Sequence, residues 1–95
     1  MSGIASRAQQ QSELEEKIRD KAVPIVEMAM HLRTKATVLL REQEGGLLIV
    51  EANPWGYGTV RYYDRNQKVR EYSVDYSGIM VELGSGFYSR NKSAA

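Results

Sequence analysis

The sequence predicts an α+β fold in which one long N-terminal helix, kinked near Pro24, is followed by a four-stranded antiparallel β-meander. Apolar residues recur at spacings of three and four from Leu14 to about Gln43, a pattern typical of an amphipathic helix. After Gly46 the pattern changes to short β-prone runs, one of them with a period of two, separated by turn residues. Helical and strand patterns that occupy separate parts of a chain indicate the α+β class.

The N-terminal segment, residues 1–11, is small or polar, and we predict that it forms a flexible arm. Ser12 and Glu15 have the spacing of a capping box, in which the hydroxyl and the carboxylate each accept a backbone N–H hydrogen bond. The helix is therefore predicted to begin at Ser12. Gly45 and Gly46 then supply its C-terminal stop.

One side of the predicted helix is a seam with alanine at every seventh position and Ile or Leu between. Because the 4-3 spacing continues through Pro24, a kink is favoured over a break there. Small side chains allow a second helix to approach closely, so we predict that two copies dimerise through this seam. The alternative is that this side and a neighbouring apolar stripe form one broad face that covers the protein's own sheet. The seam residues are Ile18, Ala22, Ile25, Ala29, Leu32, Ala36 and Leu39.

The strands are expected after Gly46, within a single domain that spans residues 12–89 and is followed by a flexible tail, 90–95. Residues 53–56 have the sequence of a type I turn, and Ser77-Gly78 is predicted to be a two-residue hairpin turn. We see no internal repeat. The four predicted strands are residues 47–50, 59–63, 69–76 and 79–83.

Composition excludes several classes of site. The chain has no cysteine and one histidine, which excludes disulfides, thiolate zinc sites, cysteine nucleophiles and multi-histidine metal sites. His31 lies in mid-helix without a Ser or Cys nearby to activate. Four strand carboxylates show no catalytic spacing: Glu51, Glu71, Asp75 and Glu82. We therefore predict no enzymatic activity, no cofactor and no metal, and a small hydrolase is the least favoured class.

Charge and hydropathy indicate which partners and which cellular location to expect. The formal net charge is +1, and positive and negative residues are nearly balanced in both halves, which disfavours bulk electrostatic binding of nucleic acid. No apolar run approaches the ~20 residues that cross a bilayer, and residues 1–11 do not resemble a signal peptide. The expected location is the cytoplasm, without a membrane contact.

A concentration of aromatic and basic residues between Trp55 and Tyr72 is the strongest candidate for a ligand or partner surface. Rings that stack on bases and cations that neutralise phosphates would suit a nucleotide or single-stranded nucleic acid, but the same residue types anchor protein interfaces and stabilise strands. Balanced charge favours a protein contact. We predict a homo-oligomeric binding or regulatory module, with nucleotide or nucleic-acid binding as the alternative. The residues are Trp55, Tyr57, Arg61, Tyr62, Tyr63, Arg65, Lys68, Arg70 and Tyr72.

Overall fold

The computed structural model of the chain describes residues 7–42 and 45–87 and confirms the predicted α+β class, with five strands where four were predicted. A single helix precedes an antiparallel sheet whose strands lie in chain order, each beside its sequence neighbours. The elements are α1 (Arg7–Leu32), β1 (Ala36–Arg41), β2 (Leu47–Ala52), β3 (Tyr57–Tyr63), β4 (Lys68–Asp75) and β5 (Met80–Phe87).

The additional strand is β1, which corrects the prediction that the helix continues to about Gln43. Ala36 and Leu39 fit the helical spacing, but the same segment also alternates: its even-numbered residues are half-buried and its odd-numbered residues are exposed. The β-branched Thr37 and Val38 favour a strand, and antiparallel pairing with β2 satisfies the backbone of the segment. The segment therefore forms a strand with a period of two, although its apolar spacing also fits the 3.6-residue period of a helix.

The helix ends at Leu32 in a Schellman motif rather than at the Gly45-Gly46 pair. Arg33 has a left-handed φ of 56°; its N–H donates to the carbonyl of Met30, and the N–H of Thr34 donates to the carbonyl of Ala29. These two hydrogen bonds define the motif. Glycine is the usual residue at such a position, and the arginine gave no signal in the sequence.

The start of α1 also differs from the prediction. The helix begins at Arg7, so Ser12 and Glu15 lie inside it and do not form the predicted cap. Residues 7–11 of the predicted arm belong to the first turns of the helix, whereas residues 1–6 and the predicted tail, 90–95, lie outside the described residues. Pro24 is exposed, and α1 runs through it as one continuous helix.

Within the described chain, one face of the sheet packs against α1 and supplies the core. In β1 to β4, even-numbered residues point toward the helix and odd-numbered residues point away, as the alternating burial in β2 and β3 shows. Tyr72 is the largest fully buried side chain. The core consists of Ile18, Ala22, Ile25, Val26 and Ala29 from α1 with Leu48, Val50, Ala52, Val60, Tyr72 and Val74 from the sheet.

The predicted dimer seam does not exist as one helical surface. Ile18, Ala22, Ile25 and Ala29 are buried in the core of their own chain, where the small alanines let α1 lie close to the sheet. Leu32 is exposed at the end of the helix, and the seam's last two residues, Ala36 and Leu39, belong to β1. The alternative role of this helix face, covering the chain's own sheet, applies to the four buried residues.

The hairpin turns recur with a period of eleven residues, whereas the sequence predicted no repeat. One residue per turn has a positive φ, at positions 45, 56, 67 and 78. In the last turn, Gly78 N–H donates to the carbonyl of Asp75, and Asp75 N–H donates to the carbonyl of Ile79. This geometry is a three-residue loop, which corrects the two-residue turn predicted at Ser77-Gly78. Because the strands are antiparallel and lie in chain order, alternate turns lie at the same end of the sheet.

Candidate functional site

The structure separates the predicted aromatic and basic surface into several locations. Neighbouring strand residues point to opposite faces, so Tyr62 and Tyr63 cannot share one. Tyr57, Arg61 and Tyr63 lie on the face opposite α1, whereas Tyr62, Arg70 and Tyr72 lie on the face that α1 covers. Lys68 begins β4, and Trp55 and Arg65 lie in turns.

Tyr72 is a core residue, which excludes it from a surface contact. Its side chain is 1% exposed, and its hydroxyl donates to Glu15 Oε2 at 3.3 Å. Burial raises the pKa of Tyr72, and the neighbouring Arg70 guanidinium partly offsets that increase. Arg70 Nη1 is itself buried and has no hydrogen-bond partner among the described residues. Tyr72 is therefore not placed to meet a ligand at the surface.

Arg61 is already paired on the face opposite α1. Its Nε lies 3.4 Å from Glu71 Oε2 on the neighbouring strand, and this hydrogen bond raises the pKa of Arg61 further above its usual range. Exposed pairs of this kind contribute at most about 1 kcal/mol. The pair nevertheless neutralises the centre of this face, which reduces its attraction for a polyanion.

Four exposed large side chains lie in or beside the β2–β3 and β4–β5 turns, which meet at one end of the sheet. These residues, here called the turn-end cluster for their shared position, are Trp55, Tyr57, Tyr76 and Ile79, with exposed fractions of 71%, 52%, 55% and 64%. Trp55 and Tyr57 belong to the predicted surface. Tyr76 and Ile79 do not, and the signal that could have found them is the 22-residue separation of the two turns.

The turn-end cluster is held by contacts between and within its two turns. Tyr76 N–H donates to the carbonyl of Gly56 at 2.9 Å, which joins the turns directly. A Cβ at Gly56 would lie 2.8 Å from the Tyr76 ring, so the absence of a side chain there lets the ring lie on the opposite turn. Asn53 Oδ1 accepts the Trp55 N–H at 2.9 Å. The aromatic side chains therefore project from an ordered backbone.

Asp75 orders the second of these turns. Its Oδ1 accepts hydrogen bonds from the Ser77 N–H, the Ser77 hydroxyl and the Ile79 N–H at 2.7–3.0 Å. The pKa of Asp75 is lowered, chiefly by the hydrogen bond from the Ser77 hydroxyl. This carboxylate, one of the four that the sequence places on strands, therefore has a structural role in its turn.

An open depression lies at the β3–β4 turn, at the opposite end of β3 from the turn-end cluster. It has a volume of about 460 Å³ and is lined by Tyr62, Asp64, Arg65 and Asn66. Asp64 Oδ1 accepts the Asn66 and Lys68 N–H groups at 2.8 and 2.9 Å. Two of the predicted surface residues, Tyr62 and Arg65, thus share one concave feature.

A second set of exposed apolar side chains lies near β1, an edge strand of the sheet. Leu32 and Leu39 are each 58% exposed, and Met28 is 43% exposed. The corner where β1 ends is charged: Lys21 Nζ lies 2.5 Å from Glu42 Oε2, and Lys17 lies 3.8 Å from the other carboxylate oxygen.

The described residues do not assemble a recognisable catalytic constellation. His31 is exposed, Glu71 pairs with Arg61, and no three His, Cys, Asp or Glu side chains of the described chain are grouped as a metal site. No helix in the described part is long and apolar enough to cross a membrane. No protein-family model, curated protein or solved structure matches this chain.

Proposed function

We propose that this chain is a non-catalytic, homo-oligomeric binding module that acts through protein–protein contacts. The observation that supports it is the grouping of exposed large hydrophobic side chains at the turn-end cluster and near β1. Scattered apolar residues are normal on a surface, but grouped ones indicate an interaction site. Tryptophan and tyrosine in particular contribute much of the binding energy at protein interfaces.

The turn-end cluster is the surface proposed for a partner protein. Binding normally costs free energy because interface side chains and loops lose freedom. Backbone N–H hydrogen bonds accepted by Asn53 and Asp75, together with the Tyr76–Gly56 link, already order the two turns. The backbone that carries the aromatic rings is therefore already ordered, and it should lose little conformational freedom when a partner binds.

Sedimentation velocity over a wide concentration range tests the oligomeric part of this proposal. We expect the wild type to sediment as a concentration-dependent oligomer. Leu39→Ser should raise the dissociation constant about tenfold or more if the exposed leucine is buried on association, since burial of a Leu contributes about 1.5–3 kcal/mol. Trp55→Ser is the matched control and should leave the oligomer intact. A well-folded wild type that stays monomeric at about 1 mM, a concentration that still detects weak association, would contradict the proposal.

Nucleotide or single-stranded nucleic-acid binding is the second candidate. The depression that brings Tyr62 and Arg65 together supports it, because a ring and a guanidinium suit a base and a phosphate. Thermal unfolding with millimolar ATP and with a ten-residue oligo(dT) tests it. A ligand-dependent rise in melting temperature that Arg65→Ala abolishes would favour this function, and no change with either ligand would reject it.

A further inference from the structure

We infer that the free edge of β1 is the homo-oligomer interface, where β1 of a second copy pairs antiparallel and joins two sheets into one of ten strands. The inference rests on the proposed homo-oligomeric function and specifies its contact. It places the interface on a strand edge, whereas the sequence predicted a helical seam.

The backbone of β1 offers unpaired hydrogen-bonding groups. β1 lies at one end of the strand order and pairs with β2 alone among the described strands. Glu42 N–H donates to the carbonyl of Gly46 at the turn, so the antiparallel alternation directs the N–H and C=O groups of Val38 and Leu40 toward β2. Those of Thr37 and Leu39 consequently point toward the free edge.

The edge of β1 lacks the features with which proteins block strand pairing. Such features are proline, charged side chains, bulges and short length. β1 is six residues long, contains no proline, and is uncharged until its last residue, Arg41. β5, the other edge strand, has a register shift opposite Glu71 and Tyr72 and carries Glu82. β1 is therefore the edge better suited to pairing.

A second copy fits this edge because an antiparallel strand is complementary to itself about a twofold axis. Pairing centred on the middle of β1 brings Leu39 of one copy beside Leu39 of the other, so the 58% exposed side chains cover each other. Cross-strand apolar pairs of this kind stabilise a sheet. The net charge of +1 produces little repulsion between two copies.

The helix flank beside β1 adds apolar area to the same contact. Lys17 and Lys21 both reach Glu42 at the end of β1, so this side of α1 faces the β1 edge. Met28 and Leu32 continue that side at helical spacing, and both are exposed. A copy docked along β1 would reduce the water contact of this flank as well.

Substitutions at Thr37 test the backbone pairing by sedimentation equilibrium. Proline there removes an N–H that points to the free edge and leaves the β2 ladder intact. We expect Thr37→Pro to raise the dissociation constant at least tenfold while far-UV circular dichroism and cooperative unfolding are retained. Thr37→Val, which keeps the N–H, is the matched control and should dimerise like the wild type.

A charge-swap pair provides a test that does not depend on proline. The side chain of Leu39 is exposed in the single chain, so Leu39→Lys and Leu39→Glu should both fold. Each should be monomeric alone because like charges would meet at the twofold axis, and an equimolar mixture should regain a dimer. Dimers that persist in Thr37→Pro and in both charged variants would overturn the edge interface but leave homo-oligomerisation intact. A monomeric wild type would overturn both.

Discussion

Arg33 provides a sharp test of where α1 ends. Its φ of 56° crowds any Cβ against the backbone at a cost of about 1–2 kcal/mol, which glycine does not incur. Glycine also makes the unfolded chain more flexible, which offsets roughly 0.5–1 kcal/mol of that gain. We therefore expect Arg33→Gly to be more stable than Arg33→Ala by about 0.5–1 kcal/mol. Both variants lose the same guanidinium, so their difference isolates the backbone.

Glu27 supplies the matched position. It is exposed and lies within α1, where glycine is less favourable than alanine by about 0.8–1.0 kcal/mol. The glycine variant should therefore be less stable than the alanine variant at position 27 and more stable at position 33. Urea and thermal unfolding resolve it, since 1 kcal/mol shifts the melting temperature by about 4–8 °C in a domain of this size. If Arg33→Gly were the less stable variant, the helix would continue past Leu32 and the Schellman end would be wrong.

Three further perturbations test the packing, the charged corner and the last turn. Ala29→Leu should overpack the core and lower the free energy of unfolding by about 1–3 kcal/mol, independently of protein concentration. If Ala29 lay in a dimer seam instead, the substitution would weaken dimerisation. Glu42→Gln should cost about 1–2 kcal/mol in urea unfolding because a nearly buried carboxylate loses its charge-assisted bond to Lys21, and Glu27→Gln, on the exposed helix surface, should cost almost nothing. Asp75 has a lowered pKa, so its stabilising contribution is complete above the unfolded value of about 3.9 and disappears as pH falls through the folded value. Wild type should accordingly lose more stability than Asp75→Asn between about pH 5 and pH 2, and parallel pH profiles would contradict the role assigned to the Ser77 bond.

The sequence contained enough information for the fold class and for most of the sheet. Alternation in β4, the apolar run of β2 and the turn residues at 53–56 each agree with their local structure. The sequence predicts a helix where β1 lies because Ala36 and Leu39 satisfy both a helical spacing and a strand alternation. Six residues are too few to separate the two periods, and only pairing with β2 decides between them.

The candidate site was less accessible to sequence reasoning because it depends on which turns meet. Trp55 and Tyr57 were identified by residue type alone, but Tyr76 and Ile79 join them only through the strand order. Residue type places Tyr72 on the same surface, but the fold buries it completely. The amino-acid composition shows how many aromatic residues a segment has but not which face of the sheet each side chain points to. That direction follows from the strand register.

Residue-resolved amide hydrogen exchange, measured by NMR at low and high protein concentration, tests the β1 interface most directly. In the monomer, the N–H groups of Val38 and Leu40 should be protected by β2, while those of Thr37 and Leu39 should exchange quickly. At concentrations where the dimer forms, the amides of Thr37 and Leu39 should become protected as well. Fast exchange at Thr37 and Leu39 at every concentration, in a sample that sedimentation shows to be dimeric, would contradict the account.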